Sequence, residues 1–197
     1  MSYDLRNLDV LVVEKHNSMR NIVKRVLSEL GVKAVRDTPD PEMAFKAICS
    51  NPADLILTDW APGLDGMTLL QKLRRDPRSP DPFVPVIVVT ANTELRHIYV
   101  ARDHGMTEYL AKPISAKLIY SRIRSIIERK RYFVRNRTFF GPDRRRRRRL
   151  EFDGPDRRDH ENQAREDRRS NVIPFPGRER RQGYDGYVMP ERRANGR

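Results

Sequence analysis

A few residues in this 197-residue chain stand where short apolar runs give way to polar sequence, and their types suit one chemistry. Glu14 and Lys15 follow Val10–Val13, Asp59 follows Leu55–Thr58, Thr90 and Ala91 end Val84–Thr90, and Lys112 with Pro113 follows Tyr109–Ala111. Carboxylates, a hydroxyl and ammonium groups converging on one crevice fit an acyl-phosphate site. There one carboxylate attacks phosphorus, acidic neighbours hold a magnesium ion, and a lysine and a hydroxyl contact the phosphoryl oxygens. Each residue taken alone has a plain structural reading: Asp59 as a turn residue, Thr90 as a strand-end hydroxyl, Lys112 as a solvated charge. Their coincidence at successive run ends carries the inference.

The elements that must position them follow from two alternating textures. The four runs above and Val32–Val35 have strand length. Between them, segments with apolar residues every three or four positions read as helices. The first helical face is Met19, Ile22, Val23, Val26, Leu27 and Leu30; the second is Met43, Ala44, Ala47 and Ile48; the third is Leu69, Leu70 and Leu73. A fourth helix is expected over about Glu94 to His104, and a fifth carries Leu118, Ile119, Ile123, Ile126 and Ile127. Asn17 or Ser18 can cap the first helix, Pro41 suits a first turn, and Gly31 suits a left-handed stop. The expected fold class is α/β, a five-stranded parallel sheet, doubly wound. Its ligand site lies at the carboxyl ends of the strands.

The segments Val10-Leu-Val-Val-Glu14, Leu55-Ile-Leu-Thr-Asp59-Trp60, Val86-Ile-Val-Val-Thr90-Ala91 and Tyr109-Leu-Ala-Lys112-Pro113 resemble, in order and spacing, the signature blocks of response-regulator receiver domains of the single-domain chemotaxis type. The resemblance spans roughly residues 7–130. It implies a flavodoxin-like receiver in which Asp59 accepts a phosphoryl group from a histidine kinase, and in which partner binding then switches. It also implies that Thr90, Ala91 and Lys112 contact the phosphoryl group, that Tyr109 changes rotamer with them, and that the Lys112–Pro113 bond is cis. Magnesium would be held by Glu14, Asp59 and the Ala61 carbonyl. The implied role is that of a phosphoryl acceptor, not an enzyme, acting on a downstream protein that the sequence does not identify.

Two departures stand out. The family pattern ends its first strand in paired acids, whereas this chain has Glu14 followed by Lys15. Lys15 either pairs with Asp59 in the metal's place, which would make the chain a pseudo-receiver scaffold, or swings into solvent on its flexible stem. The loop Asp59-Trp-Ala-Pro-Gly-Leu-Asp-Gly66 also reads one residue shorter than the pattern, which shifts Pro62 and Gly63 relative to the acceptor.

The formal net charge of +13 is uneven: residues 131–197 hold 20 arginines and no lysine against 11 Asp and Glu. The expected division is a receiver over 1–130 and an arginine-rich, disordered tail over 131–197, because apolar periodicity stops after Lys130. Gly141-Pro-Asp-Arg-Arg145 recurs as Gly154-Pro-Asp-Arg-Arg158, each copy closely preceded by Phe. The densest stretch, Arg144, Arg145, Arg146, Arg147, Arg148 and Arg149, is read either as a solubilising segment or as a polyanion-binding one, for RNA, anionic lipid or an acidic protein. No helix-turn-helix, zinc-finger or basic-zipper pattern is present, so sequence-specific DNA reading is not expected. There is no phosphate loop and no dinucleotide turn. The lone Cys49 is expected as a small buried side chain. No run reaches the roughly 18 apolar residues of a membrane span, and Asp4 and Arg6 stand where a secretory core would lie, so a cytoplasmic protein is expected.

Overall fold

The computed structural model describes residues 3–60, 66–91, 93–129, 131–136 and 138–143, together with the backbone of 172–173. Five strands, β1 (Asp9–Val13), β2 (Ala34–Thr38), β3 (Leu55–Asp59), β4 (Val86–Thr90) and β5 (Glu108–Ala111), alternate with five helices. These are α1 (Asn17–Glu29), α2 (Pro41–Ser50), α3 (Gly66–Arg75), α4 (Leu95–Asp103) and α5 (Ala116–Glu128). The sheet is parallel throughout, in the order β2-β1-β3-β4-β5. The winding direction reverses at β1, so the crevice between the carboxyl ends of β1 and β3 is the topological switch point.

Side chains alternate across the strands. Leu11, Val13, Ile56, Val86 and Val88 pack with α2 and α3 residues on one face, and Val10, Val12, Leu55, Leu57, Ile87 and Val89 with α1 and α5 residues on the other. Both faces are covered, which is why β3 and β4 read as unbroken apolar runs. β2 begins at Ala34, two residues later than its apolar run predicts. It is an edge strand with partly solvated positions, and Val32 instead closes the turn after α1 by donating to the Leu27 carbonyl. On α2 the buried face is Ala44, Phe45 and Ile48, with Met43 exposed. Cys49, expected inside, lies exposed on the same helix. Asp40 caps α2 through its carboxylate and Pro41 stands in its first turn, while Gly31 takes the expected positive φ of +88°. At α1 the cap position is His16, without a side-chain bond.

The chain after α5 departs most from expectation. Residues 131–143, assigned above to the tail, pack against the domain. β6 (Phe133–Arg135) pairs antiparallel with β7 (Phe140–Pro142) on one edge and with β8 (Val172–Ile173) on the other. Phe133 and Phe140 are buried, and with Phe83 they form a cluster of edge-to-face and tilted rings whose centroids lie 5.0–5.6 Å apart. Beneath it lies buried Arg74, from the last turn of α3. Its Nε donates to the Gly105 carbonyl at 3.1 Å and its Nη1 to the Pro82 and Val84 carbonyls at 2.9 Å, with the guanidinium 5.3 Å from the Phe133 ring. Burial lowers Arg74 to a pKa of about 10, so it remains a cation at neutral pH. A Cβ on Gly141 would lie 2.7 Å from the Gly105 Cα, so the hairpin sits flush on the α4–β5 turn. Arg131 ties the start of the segment to its end by donating to the Thr107 and Asp143 carbonyls. Ordered structure thus runs on past residue 130, and the first Gly-Pro-Asp-Arg-Arg copy starts inside a strand. Arg144–Arg149 and the second copy lie outside the described residues.

Candidate phosphoacceptor site

Parallel pairing brings the carboxyl ends of β1, β3, β4 and β5 together, and with them most of the residues singled out above. Asp59 ends β3 and Thr90 ends β4. Glu14 follows β1, its amide bonded to the Thr38 carbonyl at 3.2 Å, and Lys112 follows β5, its amide bonded to the Thr90 carbonyl at 2.9 Å. The Lys112–Pro113 bond is cis. Lys112 Nζ donates to Glu14 Oε2 at 2.8 Å and to Asp59 Oδ2 at 3.0 Å. Both carboxylates are only 4% exposed and the lysine side chain 17%, so this ion triad is largely removed from water.

Two carboxylates share one ammonium, and the site carries an excess negative charge. Burial pushes Asp59 above the ordinary aspartate range, which the bond from Lys112 only partly offsets. Burial works the same way on Glu14, but the His16 amide at 2.9 Å, Lys112 and Asp59 outweigh it and hold Glu14 below its usual value. Lys112 is held above its usual value, because the bonds to both acids exceed the opposing effect of burial. Asp59 Oδ1 is buried and without a hydrogen-bond partner among the described residues. A carboxylate oxygen in that condition seeks a cation or an electrophile. Glu14 and Asp59 therefore fit a hard divalent ion coordinated by oxygen. Ala61, the expected backbone ligand, and the shortened loop fall outside the described residues.

Lys15 takes the second of its two courses. Its side chain is exposed, no ion pair of the described residues includes it, and the ammonium beside Asp59 belongs to Lys112. Thr90 is buried with its hydroxyl donating to the Trp60 carbonyl at 2.7 Å, and Ala91 beside it is exposed. Tyr109 is half-buried beneath the apolar residues of the α2–α3 face, and burial raises its phenol. Three residues given no site role in the sequence reading complete the surroundings. Trp60 meets the His97 ring of α4 edge-on at 5.0 Å, Gly66 starts α3 against the acceptor, and Arg20 braces the β1–α1 loop. A Cβ on Gly66 would lie 2.6 Å from the Asp59 carbonyl oxygen, a close approach that only glycine permits.

The described residues contain no helix long and apolar enough to cross a membrane. A chemotaxis protein CheY of Pseudomonas aeruginosa is 32% identical over 123 residues, which is 62% of this chain and 98% of the relative. CheY-3 of Vibrio cholerae is 30% identical over 125 residues, 63% of this chain and 95% of the relative. Among solved structures, the receiver domain of the Francisella response regulator 1452 superposes with a TM-score of 0.55 at 28% identity, covering 62% of this chain and 98% of that one. The receiver domain of the Arabidopsis thaliana histidine kinase CKI1, solved with Mg2+ and BeF3-, shares the fold at a TM-score of 0.55 and 21% identity, covering 63% of this chain and 92% of that one. The model of the response regulator receiver domain matches residues 10–124, and with the sheet order and the acidic cleft already described, this chain belongs to the response-regulator receiver family.

Proposed function

We propose that this chain is a two-component phosphorelay response regulator that takes a phosphoryl group from a histidine kinase onto Asp59 and thereby switches its contacts with a downstream protein. The observation that carries the reading is the Asp59 carboxylate itself, with Oδ2 fixed by Lys112 and buried Oδ1 left without a hydrogen bond. In the transfer, an Asp59 oxygen bonds to phosphorus as the bond from phosphorus to the kinase histidine nitrogen breaks. Lys112 holds the acceptor in place beforehand and is positioned to neutralise a phosphoryl oxygen afterwards. The Thr90 hydroxyl can leave the Trp60 carbonyl for a second phosphoryl oxygen. Magnesium, when bound through Glu14 and Asp59, would neutralise charge on the phosphoryl oxygens. The chain is a phosphoryl acceptor, not an enzyme, and works in the cytoplasm. The scaffold reading, in which Lys15 occupies the metal's place, draws no support from an exposed Lys15.

Incubation of the full chain with a small phosphodonor and magnesium tests this. One acyl phosphate per chain is expected, and none in Asp59→Asn; labelling that persists in Asp59→Asn refutes the assignment. The arginine-rich segment beyond Asp143 is proposed as a second, sequence-independent contact with a polyanion, supported by its 17 arginines against 10 acids over residues 144–197.

A further inference from the structure

Lys15 occupies the sequence position where the family pattern supplies a second acid, yet the acidic cleft is free of its ammonium. The cause lies one turn into α1. Arg20 Nη1 donates to the Glu14 carbonyl at 2.7 Å and to the Lys15 carbonyl at 2.9 Å. Its Nη2 reaches Asn17 Oδ1 at 3.2 Å and its Nε reaches Asp37 Oδ2 at 2.9 Å. Asp37, at the end of β2, is itself held by Lys24 at 2.7 Å. The Arg20 side chain is only 12% exposed. A cation in the first turn of a helix opposes the helix dipole, so local preference does not put an arginine there. What it gains is a grip by Nη1 on two successive carbonyls of the β1–α1 loop, with Asn17 and Asp37 holding the rest of the guanidinium in place.

Fixing those two carbonyls fixes the peptide between them. With the Glu14 and Lys15 carbonyls both turned toward the guanidinium, the side chain of Glu14 enters the cleft and that of the next residue leaves it. The His16 amide, donating to Glu14 Oε1, closes the same loop from the other side. Released from this grip, the flexible stem of Lys15 is long enough to bring its ammonium to Glu14 or Asp59, where it would compete with a divalent ion for the same oxygens.

We propose that Arg20 is a positioning residue for the metal site: by gripping the Glu14 and Lys15 carbonyls it holds Lys15 out of the acidic cleft, so that Glu14 and Asp59 remain available to a divalent cation despite the lost second acid. This rests on the acceptor reading above and names what lets an acid-to-lysine exchange coexist with it.

The test is a double-mutant cycle on the full chain with magnesium alone as the probe, read by the fluorescence of Trp60, the sole tryptophan. Arg20→Met removes the donor to both carbonyls and is expected to weaken magnesium binding about tenfold. In a Lys15→Gln background the same substitution should change affinity by less than about twofold, because no ammonium is left to enter the cleft. Lys15→Gln alone, an exposed change that leaves the fold intact, should alter affinity by less than about threefold. An equal loss in both backgrounds would mean that Arg20 only supports the loop, and no loss in the native background would mean that it positions nothing; either overturns the proposal. The acceptor reading survives both results if native magnesium binding is abolished by Asp59→Asn. A native chain without any magnesium response, in fluorescence and calorimetry alike, overturns the two together.

Discussion

Replacing Lys112 with Met isolates the electrostatics of the acceptor site. Its ammonium lies 2.8 Å from one carboxylate and 3.0 Å from the other, and at an effective dielectric near 20 each attraction is worth about 6 kcal/mol before desolvation and the repulsion between the acids are subtracted. Breaking a buried pair by removing one partner costs ~3–5 kcal/mol. Lys112 retains some contact with water, so the lower end, about 3 kcal/mol at neutral pH, is expected. The loss should depend on pH with a definite sign. Glu14 is held below its usual pKa, so its contribution is present above the unfolded value and is lost as pH falls through the folded one. Asp59 is raised, so its contribution is full below the unfolded value and is lost as pH rises through the folded one. Without Lys112 both acids shift upward and the cleft is least stable when both are charged. Urea unfolding of Lys112→Met should therefore show a deficit that shrinks by at least half from about pH 7 to about pH 5. Magnesium at about 100 times its dissociation constant should return about 2.7 kcal/mol to the variant at neutral pH. A deficit that is the same at both pH values and insensitive to magnesium would refute the view that the cleft holds two carboxylates in need of a cation.

Phe133→Ala should cost ~3–5 kcal/mol, read as a lowered melting temperature of the full chain, because the ring is buried against Phe83, Phe140 and Arg74. An unchanged melt would mean that the hairpin adds nothing to the folded unit. Gly66→Ala should cost ~1–3 kcal/mol and slow acyl phosphate formation, since its Cβ meets the Asp59 carbonyl; equal labelling rates would show that the acceptor backbone yields freely. If Arg144–Arg149 neutralise phosphates, log affinity for duplex nucleic acid should fall with log salt at a slope of up to about −5, and a flat response would dismiss the electrostatic reading.

What was legible in the sequence is what is buried on two sides. β1, β3 and β4 are central strands whose apolar runs admit one reading, and their ends placed Glu14, Asp59 and Thr90 at the switch point. β2 was displaced because an edge strand with solvated positions carries a weaker pattern than the turn residue Val32 before it. Phe45 was missed on α2, where Met43, two positions earlier, offered an equally apolar side chain on another face. The course of Lys15 was undecidable from its own position, since it is set by Arg20, a charged residue on a helix face that periodicity treats as solvent. The hairpin of residues 131–143 was hidden for a different reason. Its strands have three residues each, and its stability comes from two phenylalanines seven positions apart and from partners, Phe83 and Arg74, that lie fifty residues or more earlier.

That hairpin also gives the molecule two poles. It rests on Arg74 in the last turn of α3, the Phe83 ring before β4 and the Gly105–Thr107 turn before β5, at the amino ends of β4 and β5, whose carboxyl ends hold Thr90 and Lys112 beside the acceptor. A five-residue strand is roughly 15 Å long, so the hairpin sits about one sheet length from the acceptor. A partner at the Asp59 pole and one at the hairpin meet opposite ends of the same sheet, so neither contact covers the other's surface.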